Sequence, residues 1–598
     1  MMEPPLPRSR FRSLVVAAYL LTSAYLALHA YLLLRAYLMP GGGDLLTEPR
    51  PPPLVQLRQL GRVRGAWRGQ GAAYLGIPYA EPPVRWQPAV PRRSWGIEVL
   101  DATSCPAAPC VTSNGVGVED CLRVHVWTPP PHPSAQKVPV LVYVHGGAYA
   151  NGNGCSDGGG RPGYGEALAA LEGVVVVGLE YRLAVLGFLA HGGGGGEEQR
   201  RRGGTGGGTG GMLGAQDVLL ALRWVRANIG AFGGDATSVT LMGESAGASL
   251  AQSLLASPRA SGLVHRAILL SPIKYGVPMS AEDAAAEHAT LMARANATSL
   301  AALRRLPLAE LMTLARGLRF TPSPDGDLLM EAPRSAWRRG APAEHSLTAL
   351  MIGYMTEDDY VGVRWRPQLP AAQATRQDLL VRLQGLMPAG VSPSDVLRHY
   401  PPDTYVDATG TPRAAYAAVN AVRDSGIACP VRAAARWAAA AGVTTFPFEF
   451  GSNWTGGSLP SGWFEAPGAL GHSDEMNVVF GRNPSIPGAD EWGDPAALLL
   501  ATFGRSLWLP ALNYIGSFVR GGVPVDAASG VAWPPLGSVT GGGGDDDDDA
   551  GRMYLAPPTP QFGRDRSGEL SRPPTAEQCA FWDARFPYVE GCGVACTS

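Results

Sequence analysis

The stretch Ser238–Ala256, SVTLMGESAGASLAQSLLA, predicts a β-strand, a tight turn and an α-helix in direct succession. Residues 239–242 are apolar or β-branched, so 238–242 is predicted to be a buried strand, and residues 248–256 form a continuous helical pattern. Between them, Gly243-Glu244-Ser245-Ala246-Gly247 fits G-x-S-x-G, in which small residues flank a serine held in a strained strand-to-helix turn that exposes its hydroxyl. The stretch therefore predicts Ser245 as a nucleophile.

The bare pattern is weak evidence in this chain, because 77 of its 598 residues are glycine. A second match, Gly154-Cys155-Ser156-Asp157-Gly158, lies in a glycine-rich stretch with neither a strand before it nor a helix after it. Only Ser245 has the context that the turn requires.

Five further short apolar runs have the character of strands that are buried on both faces. Helical patterns separate several of them; one has Val218, Leu222, Val225 and Ile229 at helical spacing. Alternating strands and helices predict an α/β fold with a mostly parallel central sheet and helices on both faces. The further strand candidates are Val140 to Val144, Val174 to Leu179, Ala267 to Leu270, Ala349 to Ile352 and Thr444 to Phe450.

A His-Gly-Gly-Ala sequence follows the predicted strand that ends at Val144. Small residues after a strand let backbone amides approach a substrate oxygen, which an activated serine needs for its developing oxyanion. A plain glycine turn is the alternative, but the pattern upstream of a nucleophilic serine favours an oxyanion hole at Gly147 and Ala148.

Together these segments resemble the carboxylesterase type-B family, which includes cholinesterases, carboxylesterases and some lipases. The resemblance runs from about Gly71 to Pro587 and implies the α/β-hydrolase fold and hydrolysis of carboxylic esters. Its densest part is residues 221–247, ALRWVRANIGAFGGDATSVTLMGESAG. The supporting segments are GIPYAEPP at 76–83, EDCL at 119–122 and YRLAVLGF at 181–188.

The resemblance implies partners for the serine. Gly471-His472-Ser473-Asp474-Glu475 matches the family's catalytic histidine, which makes His472 the general base. The family's Gly-x-x-x-x-Glu-Gly pattern falls on residues 353–359 and places the acid at Asp358, with aspartate where the family has glutamate. Because aspartate has a shorter reach, the neighbouring Glu357 is the alternative acid.

The same resemblance implies that the amides of Gly147, Ala148 and Ala246 form the oxyanion hole. Ala148 replaces a third glycine but keeps its N–H. Glu244 and Glu475 are expected near the histidine, outside the chemical steps. No cofactor is implied, and no paired C-x-x-C or alternating acidic ligands predict a metal site.

For the eight cysteines, the resemblance implies a Cys429–Cys579 disulfide and pairs Cys121 with either Cys105 or Cys110, of which Cys105 is preferred. The remaining cysteines have no assigned partner, and one in the tail could link two copies of the chain as a homodimer. The unassigned ones are Cys155, Cys592 and Cys596.

A membrane segment is predicted ahead of the hydrolase domain. Residues 13–34 are uncharged, mostly apolar and long enough to cross a bilayer. Three arginines in residues 1–12 precede them and one, Arg35, follows, which predicts a cytoplasmic N-terminus and a lumenal or extracellular remainder, secreted if the segment is cleaved. Sequons at Asn296 and Asn453 agree with that compartment.

The predicted organisation is completed by a linker, the hydrolase domain, two low-complexity insertions in it and a tail. The net charge of −2, with 17% charged residues, offers no surface for nucleic acid and favours a neutral substrate. The ranges are 35–70 for the linker, 71–587 for the domain, 192–211 and 541–549 for the insertions, and 588–598 for the tail.

The function expected is a serine ester hydrolase acting on a neutral ester. Choline esters are disfavoured because residues 105–121 contain no aromatic side chain to bind a choline cation. A lipase acting on long acyl chains is a second enzyme interpretation. The alternative from another class is a non-catalytic adhesion or scaffold ectodomain of the same family.

Overall fold

A central mixed β-sheet of nine strands forms the frame of the computed structural model. The chain divides into two compact units, 1–52 and 53–598. The structure describes residues 50–131, 136–155, 165–190, 211–273, 279–323, 325–355, 358, 375–384, 387, 391–405, 414–450, 472–473, 476, 479–480, 512–525, 530, 532–537 and 574–585.

The elements follow in chain order, and residues 512–521 are also helical. The strands are β1 (Leu54–Leu57), β2 (Gly61–Arg64), β3 (Ala66–Arg68), β4 (Gly71–Pro78), β5 (Val99–Asp101), β6 (Arg123–Thr128), β7 (Val138–Val144), β8 (Val175–Leu179), β9 (Gly234–Glu244), β10 (Arg266–Leu270), β11 (Ala349–Met355) and β12 (Thr444–Phe450). The helices are α1 (Glu166–Glu172), α2 (Ala184–Phe188), α3 (Leu213–Asn228), α4 (Ala246–Leu255), α5 (Ala281–Arg294), α6 (Leu300–Arg304), α7 (Leu308–Leu314), α8 (Pro333–Arg339), α9 (Ala341–Glu344), α10 (Arg376–Gln384), α11 (Pro393–His399), α12 (Ala415–Arg423), α13 (Cys429–Ala440) and α14 (Ala576–Arg585).

The sheet has the strand order β12-β11-β10-β9-β7-β8-β6-β4-β3. The pairings from β12 to β8 are parallel, and those from β8 through β6 and β4 to β3 are antiparallel. All six strands expected from the apolar runs are present and form the parallel part. The prediction of a mostly parallel sheet describes that part, while the whole sheet is mixed.

Both faces of the sheet are covered, because successive side chains of its strands enter different hydrophobic clusters. In β7, Val140, Val142 and Val144 pack in one cluster, whereas Leu141 and Tyr143 pack in the other. The first cluster includes side chains of α4 and the second includes side chains of α1. Burial on both faces explains why the strands of the parallel part are almost continuously apolar.

Ordered structure begins ahead of the predicted domain boundary at residue 71. Strands β1 and β2 pair with β5 in a separate sheet of three strands, and β3 extends the edge of the central sheet. Strands β1, β2 and β3 lie within residues 35–70, which were expected to be a linker. These strands are only three or four residues long and contain just two buried side chains, so they lack the continuous apolar run that marks the strands of the parallel part.

Three disulfides lie among the described residues, and one corrects an expectation. Cys429–Cys579 is present as implied. The preferred Cys105–Cys121 pair is wrong: Cys121 bonds to Cys110, with a Cα–Cα distance of 5.0 Å, and Cys105 bonds to Cys155. A backbone bridge between Cys110 and Val118 brings the chain back on itself next to Cys121, which spacing alone did not reveal.

Several expectations lie outside the described residues. They include the predicted membrane segment at 13–34, the tail at 588–598 and the acidic run at 541–549. Across the described part of the chain, no helix combines the length and apolar character needed to span a bilayer.

Candidate active site

Ser245 lies at the turn between β9 and α4 and has a strained backbone, with φ 54° and ψ −124°. Its amide donates to the carbonyl of Leu270, at 2.9 Å, which fixes the turn to the neighbouring strand. A Cβ at Gly243 would lie 2.5 Å from the backbone of Gly247, and one at Gly247 would lie 2.1 Å from the carbonyl oxygen of Val144. Because neighbouring backbone leaves no room for a Cβ atom, only glycine fits at positions 243 and 247.

His472 lies between Ser245 and Asp358 and connects them. Its Nε2 is 2.7 Å from Ser245 Oγ, and its Nδ1 is 2.5 Å from Asp358 Oδ1. Both partners are buried, with Ser245 2% and Asp358 0% exposed. The distances suit proton transfer from the hydroxyl to the imidazole while the carboxylate accepts from the other ring nitrogen.

Asp358 is fixed by hydrogen bonds to its second oxygen. Ser271 Oγ donates to Oδ2 at 2.5 Å, and the Met355 amide at the end of β11 donates to the same atom at 2.9 Å. These bonds leave Oδ1 directed at the imidazole. The alternative acid, Glu357, lies outside the described residues.

Glu244 is a second carboxylate near His472, as the sequence predicted. Its Oε1 lies 3.6 Å from His472 Nε2 and accepts a hydrogen bond from Ser473 Oγ at 2.5 Å. Burial raises its pKa, and the neighbouring His472 partly opposes that shift. The other carboxylate expected here, Glu475, lies outside the described residues.

The loop after β7 lies directly against Ser245. A Cβ at Gly146 would lie 3.0 Å from Ser245 Cβ, and positive φ angles of 105° at Gly147 and 56° at Ala148 turn the loop tightly. Among the described residues, neither of these two amides donates a hydrogen bond to a protein acceptor. Ala246 begins α4, so its amide has no partner within the helix.

These groups converge because they follow the carboxyl ends of neighbouring parallel strands. The loop at 145–148 follows β7, Ser245 follows β9 and Ser271 follows β10, while Asp358 lies just beyond β11. In open α/β sheets this edge is where ligand sites form. The result is a serine hydroxyl, an imidazole with its carboxylate partner, and backbone amides within one small region.

A family comparison agrees with this arrangement. The Carboxylesterase family matches residues 51–546, which is most of the chain. The chain belongs to the carboxylesterase family. The family match includes β1 to β3, which supports counting those strands as part of the domain.

Curated relatives of this carboxylesterase-family chain are named esterases. It is 37% identical over 232 residues to "Fumonisin B1 esterase" of Sphingopyxis macrogoltabida, covering 37% of this chain and 40% of that protein. It is 35% identical over 306 residues to "Liver carboxylesterase" of Sus scrofa, covering 46% of this chain and 50% of that protein. The chain thus spans about half the length of the curated relatives that it matches.

Solved structures match over a larger share of the family domain. A Geobacillus stearothermophilus carboxylesterase superimposes with a TM-score of 0.66 at 27% identity, covering 88% of this chain and 99% of that one. The fold is therefore that of the α/β-hydrolase esterases, with a mixed sheet.

Sequence reasoning missed Ser271 as a member of this carboxylesterase-family site. Its position immediately after the strand β10, at the carboxyl edge, was the available signal. Among the described residues, no cluster of three His, Cys, Asp or Glu side chains could hold a metal ion. Of the two sequons, Asn296 is exposed beyond the end of α5, and Asn453 lies outside the described residues.

Proposed function

We propose that this chain hydrolyses carboxylic esters through an acyl-enzyme on Ser245. The observation that carries the proposal is the continuous contact from Ser245 Oγ through His472 to Asp358, with distances of 2.7 and 2.5 Å. A serine hydroxyl is a poor nucleophile by itself, and an adjacent base oriented by a carboxylate is the arrangement that activates it.

In the proposed reaction, His472 Nε2 takes the Ser245 proton as Oγ attacks the ester carbonyl. The amides of Gly147, Ala148 and Ala246 donate to the resulting oxyanion. His472 then donates the proton to the departing alcohol, and water enters and is activated in the same way to release the acid. Asp358 holds the imidazole tautomer and stabilises its protonated form without taking the proton itself. No cofactor takes part.

A neutral ester is the proposed substrate. The Cys110–Cys121 loop carries no aromatic side chain, so it supplies no face for a quaternary ammonium group. The curated relatives are named as esterases. This chain matches about half the length of each, and that similarity supports ester hydrolysis here.

The test is hydrolysis of p-nitrophenyl esters from acetate to palmitate by the full-length protein in detergent. Ser245→Ala, His472→Ala and Asp358→Asn should each lower kcat at least about a thousandfold, because the three act as one unit. The matched control is Ser253→Ala, which removes a buried hydroxyl that donates only to the Ser249 carbonyl. It should retain nearly full activity.

Labelling by a fluorophosphonate provides a second readout that does not depend on the choice of ester. Wild-type protein should be labelled at Ser245, and Ser245→Ala should not. If the folded wild type neither hydrolyses any ester in the series nor reacts with the probe, ester hydrolysis is refuted. The non-catalytic adhesion ectodomain would then be the function to test.

A further inference from the structure

Three titratable side chains form a buried cluster beneath the loop that carries the proposed oxyanion donors. His125 lies within β6, His145 directly follows β7 and Glu180 directly follows β8. Their exposed fractions are 0%, 2% and 3%. None of them contacts Ser245, His472 or Asp358 in the interactions described above. Because burying a charged group costs free energy, such a cluster needs a structural or functional reason.

The hydrogen bonds fix the proton positions on one side of the cluster. The Gly76 amide donates to His125 Nδ1 at 3.0 Å, so the neutral ring carries its proton on Nε2. That Nε2 lies 3.3 Å from Glu180 Oε1, which also accepts from the Gly154 amide at 2.9 Å. One carboxylate oxygen of Glu180 is therefore occupied by two donors.

On the other side of the cluster, two polar atoms have no hydrogen-bond partner among the described residues. His145 Nδ1 lies 2.9 Å from the Gly146 carbonyl oxygen, which can only accept, so Nδ1 carries a proton. His145 Nε2 then faces Glu180 Oε2 at 4.0 Å, and neither atom has a hydrogen-bond partner among the described residues. Two buried acceptors facing each other are unfavourable. At 4.0 Å the two atoms are too far apart for a hydrogen bond, so the bonds that fix Glu180 are those to its Oε1.

The position of the His145 ring determines the direction of the Gly147 amide. The Gly146 carbonyl and the Gly147 N–H belong to the same trans peptide group, so they point in opposite directions. By donating to that carbonyl, His145 directs the Gly147 N–H away from the buried cluster. The ring is also stacked on Tyr181, with 4.5 Å between the ring centroids, and the backbone of Gly152 packs against it.

We propose that Glu180 is a positioning residue for the oxyanion hole: its Oε1 fixes the Gly154 amide at the end of the loop that begins with His145, and His145 in turn orients the Gly147 amide. The proposal rests on the proposed function. Burial lowers the pKa of His145, and the nearby Glu180 only partly opposes that shift. Glu180 acts only through this loop and touches no substrate.

The expected kinetic effect is a loss in kcat with little change in KM, since oxyanion donors act chiefly in the transition state. Glu180→Ala should lower kcat for a p-nitrophenyl ester by about tenfold or more, with KM changed by less than about twofold. Glu180→Gln should restore most of the rate. Its amide oxygen can still accept from the Gly154 amide and from His125.

Glu172→Ala is the matched control. Glu172, the last residue of α1, is also buried, at 6% exposed, but it pairs with Arg520 and not with the loop. The Glu172→Ala variant should have a lower melting temperature and an unchanged kcat. An alkyl trifluoromethyl ketone, which forms a tetrahedral oxyanion on a serine, should lose affinity for Glu180→Ala in proportion to the loss in kcat/KM.

Hydrogen exchange provides a readout that does not depend on activity. The peptide covering residues 145–152 should exchange faster in Glu180→Ala than in wild type, and no faster in Glu180→Gln or Glu172→Ala. Unchanged kcat and unchanged exchange in Glu180→Ala would overturn the positioning proposal. If wild type hydrolyses no ester, the proposed function fails, and the exchange of this peptide still decides whether Glu180 positions the loop.

Discussion

At the scale of single residues, the site depends on backbone conformations that are unfavourable in isolation. Ser245 and Ala148 both have positive φ angles without being glycine. Such conformations cost about 1–3 kcal/mol each and persist only where surrounding contacts enforce them. Here the amide of Ser245 is held by the Leu270 carbonyl, and the glycines at 243 and 247 allow the backbone to close around it.

Ser271 provides a prediction at the same scale. Ser271→Ala removes a hydroxyl that donates to Asp358 Oδ2, leaving the Met355 amide as the other donor described for that atom. A hydrogen bond to a buried charge contributes about 1.5–3 kcal/mol, so kcat/KM should fall by about tenfold as Asp358 becomes less well oriented. The measurement is steady-state hydrolysis of a p-nitrophenyl ester.

The control for Ser271 is again Ser253→Ala, because both hydroxyls are buried but only Ser271 contacts the carboxylate. If the two variants have the same kcat/KM, Ser271 does not orient Asp358. A fall in melting temperature alone would indicate a packing role.

At the scale of elements, the disulfides differ in how much chain they close. Cys429–Cys579 spans a sequence separation of 150 residues and links the start of α13 to α14, whereas Cys110–Cys121 spans 11. In the chain-entropy account, these loops contribute about 5 and about 3 kcal/mol to stability. The longer disulfide therefore constrains the unfolded chain more.

We expect the paired change Cys429→Ala with Cys579→Ala to lower the melting temperature more than Cys110→Ala with Cys121→Ala. The measurement is thermal unfolding of both double variants under non-reducing conditions. An equal or reversed order would show that local packing around each disulfide outweighs the loop-closure entropy.

At the scale of the whole molecule, we propose that residues 13–34 anchor the hydrolase domain in a membrane. Replacing residues 1–40 with a cleavable signal peptide should move the protein from the carbonate-resistant membrane pellet to the medium. The full chain should remain in the pellet, because an apolar segment of this length crosses a bilayer. Immunoblotting of both fractions is the measurement.

Treatment of the secreted form with an N-glycosidase is the control for the compartment. A mobility shift that is lost in Asn296→Gln would agree with a lumenal or extracellular domain. Recovery of the full chain in the soluble fraction would refute the anchor.

The sequence by itself determined the parallel part of the sheet and the strained turn at Ser245. Strands buried on both faces must be apolar along their whole length, so β7 to β12 were readable from composition. The turn at Ser245 requires small residues at fixed positions, so it left a local pattern. Local constraints of this kind are visible without knowing what packs against them.

Only the tertiary structure decided contacts between residues far apart in the chain. Cys121 pairs with Cys110 because of a backbone bridge, and Ser271 contacts Asp358, 87 residues away, because β10 and β11 are neighbours. The cluster of His125, His145 and Glu180 has the same origin, since three strands bring together side chains that no spacing rule connects. The sequence specifies the chemical type of each side chain and its local pattern. The strand order in the folded sheet determines which distant side chains come into contact.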